Sequence, residues 1–319
     1  MSIAFVFPGQ GSQSVGMGKA LAENFPAARL VFEEVDSALG EKLTKVIWEG
    51  PAETLTLTEN AQPALMAVSL AAMRALEAEA GFDLARDAQF VAGHSLGEYS
   101  ALAAAGALSL SDTARLLRIR GRAMQQAVPV GQGAMAALIG LSFEEAAAVA
   151  AAAAQAGGIC QAANDNGGGQ VVVSGEKAAV ERAVEIAKFK GAKRAMLLPV
   201  SAPFHCALMR PAADAMAKAL QNVPVLRPTV PVVANVLAKP VTDPEQIIQN
   251  LVAQVTGTVR WRESVAYMAQ AGAKAFYEVG AGKVLSGLVK RIAEGAVGVP
   301  IGTAEDIAAF KAARAAPAS

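Results

Sequence analysis

Apolar positions along the chain fall into two alternating patterns. Short apolar runs, over 3–7 and, interrupted only by Gln89, over 88–92, each stop at a glycine-bearing turn, which is the mark of a strand buried on both faces. Longer stretches with apolar residues at helical spacing follow them, over 18–39 and 61–80, then 98–105, and again after Ser109 to about 127, with Ser111 and Asp112 as the expected cap. Strand, tight turn and helix in this succession predict a parallel sheet covered by helices.

The rhythm changes at 128–133. From there the pattern predicts strand 134–139, helix 143–155, strand 158–163, a loop over 164–169, strand 170–174, helix 177–190 and strand 194–198. That order, βαββαβ, is the signature of a ferredoxin-like unit. Beyond Pro199 and Pro203 the strand and helix alternation resumes, with strands over 230–234 and 275–279. The expected fold class is therefore α/β. A large α/β-hydrolase-like domain with a parallel sheet, formed by 1–128 and 200–319, carries an inserted small ferredoxin-like subdomain at 129–199. The end from about 308 to 319 reads as ragged.

Composition narrows the class. Hydrophobic residues make up 53% of 319 positions, yet no apolar run approaches the roughly 18–20 residues of a spanning helix, so no membrane is expected. The apolar excess is largely alanine, which favours helix and buries little area. Twenty-eight basic residues balance 28 acidic ones, leaving no broad positive field for nucleic acid. The first residues run into an apolar strand without a basic leader, and only Cys160 and Cys206 are present; both point to a protein of the reducing cytoplasm. No cysteine or histidine is spaced as a metal ligand.

The chemistry gathers at Gly93-His94-Ser95-Leu96-Gly97, a G-x-S-x-G turn with a strand before it and a helix directly after. Small residues allow the sharp turn, and the helix N-terminus favours negative charge developing beside the serine. Ser95 is the candidate nucleophile. A serine needs a base. The chain has two histidines, and His94, adjacent to Ser95 on an extended segment, points to the other face, which leaves His205. Its orienting partner stays open among Asp243, Glu278 and a backbone carbonyl. Backbone N–H groups of Gln10, in the turn after the first strand, and of Leu96 suit an oxyanion hole.

On the helix after Ser109, Arg115, Arg118 and Arg122 fall on one face, expected to be solvated. Arg120 shares the apolar stripe with Leu116, Leu117 and Met124. A guanidinium there needs an anion, either an internal carboxylate or one on a substrate.

Together FVFPGQGSQ (5–13), GHSLGEYSAL (93–102), RIRGRAMQ (118–125), GAMAALIG (133–140), NDNGGGQVVVSG (164–175), PVSAPFHCALM (199–209) and YEVGAGKVLSGL (277–288) resemble the malonyl-CoA:acyl carrier protein transacylase family, in the stand-alone bacterial form of fatty acid synthesis. The resemblance runs over nearly the whole chain in the same order. It implies that Ser95 takes the malonyl group, that His205 is base and then acid, and that Arg120 holds the free malonyl carboxylate. It further implies Gln10 and Leu96 as oxyanion donors and the backbone carbonyl of Gln254 as the acceptor that orients His205. Phe204 matches the malonyl-preferring pattern, the methyl-branched type carrying serine there. The stretch 188–194, with Lys193 and Arg194, falls where the family receives coenzyme A phosphates and the acidic carrier protein. Malonyl-CoA and acyl carrier protein are the implied partners and no cofactor is implied; the chain itself is expected to be a monomer. A thioesterase or hydrolase on the same Ser95 and His205, a malonyl transferase serving a polyketide synthase or a malonate decarboxylase, and a non-catalytic carrier-docking module are the alternatives.

Overall fold

The computed structural model describes residues 2–315; Met1 and the end of the expected ragged tail, 316–319, lie outside them. The first apolar run forms β1 (Ser2–Phe7) and the second forms β2 (Phe90–Gly93). Between them lies the helix Thr58–Ala80, buried nearly all round, which is why it lacks a polar face. β1 and β2 pair in parallel, as a strand–helix–strand crossover requires.

The small antiparallel sheet comes next in the chain. It consists of β3 (Gly133–Ile139), β4 (Cys160–Asp165), β5 (Gln170–Glu176) and β6 (Arg194–Leu197), in the spatial order β4-β5-β3-β6. The helices Phe143–Gln155 and Lys177–Phe189 cover one face, with Ala136, Leu138, Val171 and Val173 beneath them. On the alternate pleat Met135 and Val172 join the main core, so the sheet is apolar on both faces. The chain then returns to the large sheet with β7 (Val232–Ala234), β8 (Lys239–Val241), β9 (Ala273–Val279) and β10 (Val297–Ile301). Its order is β10-β9-β1-β2-β7-β8, parallel throughout except for β8. The fold is mixed α/β, a mainly parallel sheet beside a separate antiparallel one. Asp165 N–H donates to the Val259 carbonyl at 2.9 Å, stitching the edge of the small sheet to the large part.

Several expected elements differ. The helix over 18–39 is two, Lys19–Asn24 and Pro26–Leu39, because Phe25 is extended, as a residue before proline prefers. The helix Leu110–Ala127 is capped by Ser109, whose hydroxyl accepts from Asp112 N–H, and not by Ser111 and Asp112. β4 reaches Asp165, into the expected loop. The ragged tail is instead a helix, Ala304–Ala315, anchored by buried Ile307 and Phe310. Arg118 does not join Arg115 and Arg122 on a solvated face. It is buried, donating to the Glu59 carbonyl at 2.6 Å, to Asn60 Oδ1 and to Glu41, because the neighbouring helix packs across that side of the turn. No helix among the described residues is long and apolar enough to cross a membrane.

Candidate active site

β2 ends at Gly93 and the helix Gly97–Ala104 begins four residues later. The turn between them is as tight as glycine permits. A Cβ on Gly93 would lie 1.9 Å from the Gly97 carbonyl, and one on Gly97 would lie 2.3 Å from the Phe7 carbonyl oxygen. Between these two, Ser95 takes a left-handed conformation, φ 54°, at the mouth of the sheet. His94 turns aside. Its Nε2 lies 2.9 Å from Asn166 Oδ1, in the β4–β5 loop, and its ring packs against Trp261.

His205 also has positive φ, 59°, and is buried. Its Nε2 lies 2.8 Å from Ser95 Oγ, and its Nδ1 lies 2.9 Å from the Gln254 carbonyl oxygen. A carbonyl only accepts, so Nδ1 must carry the proton and Nε2 is left as the acceptor for the serine hydroxyl. Burial first, and the nearby charge of Arg120 second, push the His205 imidazolium down to about 3. The ring is therefore neutral at physiological pH and free to take a proton. Neither acid weighed as its orienter comes near. Asp243 caps the helix Pro244–Thr256 by accepting from Gln246 N–H, and Glu278 accepts from Leu285 and Ser286 N–H.

Arg120 is 1% exposed. Its guanidinium donates to Gln62 Oε1 at 2.7 Å, to Gln254 Oε1 at 2.9 Å and to Ser95 Oγ at 3.1 Å, while Nε has no partner. Each of these acceptors is neutral, and among the described residues Arg120 makes no ion pair. A charge of this kind is expensive to bury unmatched. Gln62 donates onward to Thr58 Oγ1, which donates to Gln10 Oε1, so a run of hydrogen bonds links the arginine to the turn after β1.

These groups face a cavity of about 320 Å³ between the two sheets. Gln10, Leu96 and Phe204 line it, and Met135, Val172 and Leu198 supply an apolar wall from the small sheet and the segment after it. Lys193 and Arg194 stand apart, exposed at the start of the edge strand β6.

Three buried polar residues of this region escaped sequence reasoning: Gln62, Glu98 and Asn235. Asn235 N–H donates to Glu98 Oε2, and its own Oδ1 accepts from Ser95 N–H at 2.8 Å. Its position directly after β7 was the available signal, since sites of open parallel sheets lie at the carboxyl ends of strands. Glu98 is 3% exposed, and burial pushes its carboxyl up to about 7.

With this geometry in place, comparison with known proteins is decisive for the class. The family described as acyl transferase domain matches residues 4–306. A malonyl CoA-acyl carrier protein transacylase of Bacillus subtilis (strain 168) is 46% identical over 290 residues, covering 91% of this chain and 90% of that protein. The crystal structure of an acyl-carrier-protein-S-malonyltransferase from Bartonella henselae superposes with a TM-score of 0.96 at 58% identity, covering 99% of this chain and 100% of that one. A solved complex of a malonyl-transacylase with its type II PKS acyl-carrier protein superposes with a TM-score of 0.94 at 42% identity, covering 98% of this chain and 100% of that one. The chain belongs to the malonyl CoA-acyl carrier protein transacylase family.

Proposed function

We propose that this protein is an [acyl-carrier-protein] S-malonyltransferase, moving the malonyl group from malonyl-CoA to the phosphopantetheine thiol of acyl carrier protein in fatty acid biosynthesis. The observation that carries the reading is Arg120. A buried cation with only neutral acceptors, it stands 3.1 Å from a serine hydroxyl that is itself paired with a neutral histidine. The carboxylate it lacks is supplied by the malonyl chain, whose thioester carbonyl is then delivered to Ser95.

In the first half-reaction Ser95 Oγ bonds to the thioester carbon and its proton passes to His205 Nε2. The N–H groups of Gln10 and Leu96, which have no acceptor among the described residues, hold the oxyanion. The tetrahedral adduct collapses with cleavage of the C–S bond, and His205 returns the proton to the departing coenzyme A sulfur. In the second, the carrier thiol gives its proton to His205, attacks the malonyl-serine ester, and Ser95 leaves with that proton restored. The imidazolium formed in each step is held at Nδ1 by the Gln254 carbonyl. Phe204 narrows the cavity beside the acyl carbon, favouring malonyl over its methyl-branched homologue. Lys193 and Arg194, exposed on the surface of the small sheet, meet phosphates and the acidic carrier. The chemistry as written calls on no cofactor, and the enzyme acts as a cytoplasmic monomer in this reading. The strand order of the small sheet and its βαββαβ succession support a ferredoxin-like subdomain at 129–199, and the turn at Ser95 supports a hydrolase-like large domain at 1–128 and 200–319.

Intact-mass analysis with malonyl-CoA tests this. A malonyl adduct forms on the wild type, is absent from Ser95→Ala, and persists until carrier protein is added. Steady release of free malonate without carrier would instead identify a hydrolase.

A further inference from the structure

The left-handed backbone of Ser95 is one that side chains avoid, and both of its main-chain polar groups are gripped from outside the turn. Its N–H donates to Asn235 Oδ1 at 2.8 Å, and its carbonyl accepts from Gln254 Nε2 at 3.0 Å. The two amides come from distant elements, one directly after β7 and the other from the last turn of the helix Pro244–Thr256. The two residues converge on one atom, Asn235 by its main chain and Gln254 by its side chain. Glu98 Oε2 accepts from Asn235 N–H at 3.0 Å and from Gln254 Nε2 at 2.7 Å.

The same two amides reach further. Asn235 Nδ2 donates to the Gly93 carbonyl at 2.7 Å, fixing the end of β2. Gln254 Oε1 accepts from Arg120, and the Gln254 main-chain carbonyl accepts from His205. A single carboxyl oxygen thus anchors both residues, Asn235 through its main-chain N–H and Gln254 through its side chain, whose amide groups fix the Ser95 backbone and meet Arg120. Glu98 sits in the first turn of the helix after Ser95, where a side chain points back toward the helix start and under the turn. Burying a carboxyl there, with no direct cationic partner among the described residues, is unfavourable unless its hydrogen bonds are needed.

We infer that Glu98 is a positioning residue for acyl transfer, setting the Ser95 backbone through Asn235 and Gln254 without touching the substrate. The inference rests on Ser95 being the acylated nucleophile. What matters in it is the place of the acceptor oxygen, not a fixed negative charge.

Two substitutions separate those properties. Glu98→Gln keeps an acceptor oxygen at the same reach and removes the charge; Glu98→Asp keeps the carboxylate and withdraws it by one methylene. Acylation of the full chain by malonyl-CoA is followed by rapid quench and intact mass, with circular dichroism to establish folding. The Asp variant is expected to acylate on the order of 100-fold more slowly, as small misplacements of reacting groups do, with KM little changed. The Gln variant stays within about tenfold of wild type on the same reasoning. Combining Glu98→Asp with Asn235→Ala gives a rate no lower than the slower single variant, because both act along one chain of contacts. The reverse order of Gln and Asp, an Asp variant at the wild-type rate, a change confined to KM, or losses that multiply in the double variant would each overturn the inference. Absence of any adduct on wild-type Ser95 would instead overturn the functional reading beneath it.

Discussion

Ser95 and His205 meet at 2.8 Å between two left-handed residues, φ 54° and 59°. Among the described residues only Ala238 joins them as a non-glycine at positive φ. Such a conformation costs roughly 1–3 kcal/mol at each site and persists only where the surroundings over-determine it. The contact is therefore a property of the packed frame around both loops, and neither local segment would adopt it alone.

The proposed clamp makes Arg120 a determinant of both affinity and selectivity. Arg120→Ala is expected to lower malonyl transfer by on the order of 100-fold or more, the loss of a charge-assisted pair in a dry site, while relieving discrimination against acetyl-CoA. Competition between the two thioesters, read by adduct mass, measures the ratio. An alanine variant that kept its malonyl preference would remove the clamp from the mechanism. Arg120→Lys restores little, because a point charge cannot reproduce the fork that spans Gln62, Gln254 and the substrate.

The pH profile carries a second consequence of the same charge. Arg120 helps depress the His205 imidazolium. A malonyl carboxylate that pairs with Arg120 cancels this influence, so the histidine becomes more basic once substrate is bound. The acid limb of kcat, which reports the complex, should lie at higher pH than the acid limb of kcat/KM, which reports free enzyme. Coincident limbs, or the opposite order, would contradict the pairing.

Two buried groups drive stability in opposite directions as pH falls. The Glu98 carboxyl is raised to about 7 in the fold, so its contribution is fully present below the ordinary carboxylate range and is lost as pH rises through 7. His205 is depressed to about 3, so its contribution is present above the ordinary histidine range and is lost as pH falls toward 3. Between pH 7 and 5 the two offset each other. Denaturant unfolding should show Glu98→Gln losing more stability than wild type over that window, and His205→Asn gaining.

Arg118 belongs to the frame and not to the chemistry. Arg118→Met leaves the Glu59 carbonyl and Asn60 without their donor and should cost about 1–3 kcal/mol in unfolding free energy. The pairing with Glu41 adds little of this, since that carboxylate is 40% exposed. The ratio of malonyl to acetyl transfer should not move.

Legibility in the sequence followed chain distance. The G-x-S-x-G turn could be read because strand, glycines and helix are contiguous, and the inward place of Arg120 followed from its helical spacing to Leu116 and Met124. Pairing Ser95 with His205 needed only counting, since two histidines left one candidate. The buried side of Arg118 was illegible because a neighbouring helix, not its own, covers it. Asn235 and Glu98 were silent for a related reason: an amide and an acid read as surface until the burial of both by tertiary contacts is known. β8 and β10 are short or partly exposed edge strands whose pattern is too weak to stand out.

The acceptor that holds His205 is a main-chain carbonyl from the last turn of a helix, where carbonyls have no intrahelical donor and carry the negative end of the helix dipole. No side-chain substitution at position 254 can delete it. The orientation of His205 is thereby written into the length of the helix Pro244–Thr256, and into its stop at Gly257. An insertion that extended the helix by one turn would recruit that carbonyl into the ladder and release the imidazole, with every catalytic side chain still encoded.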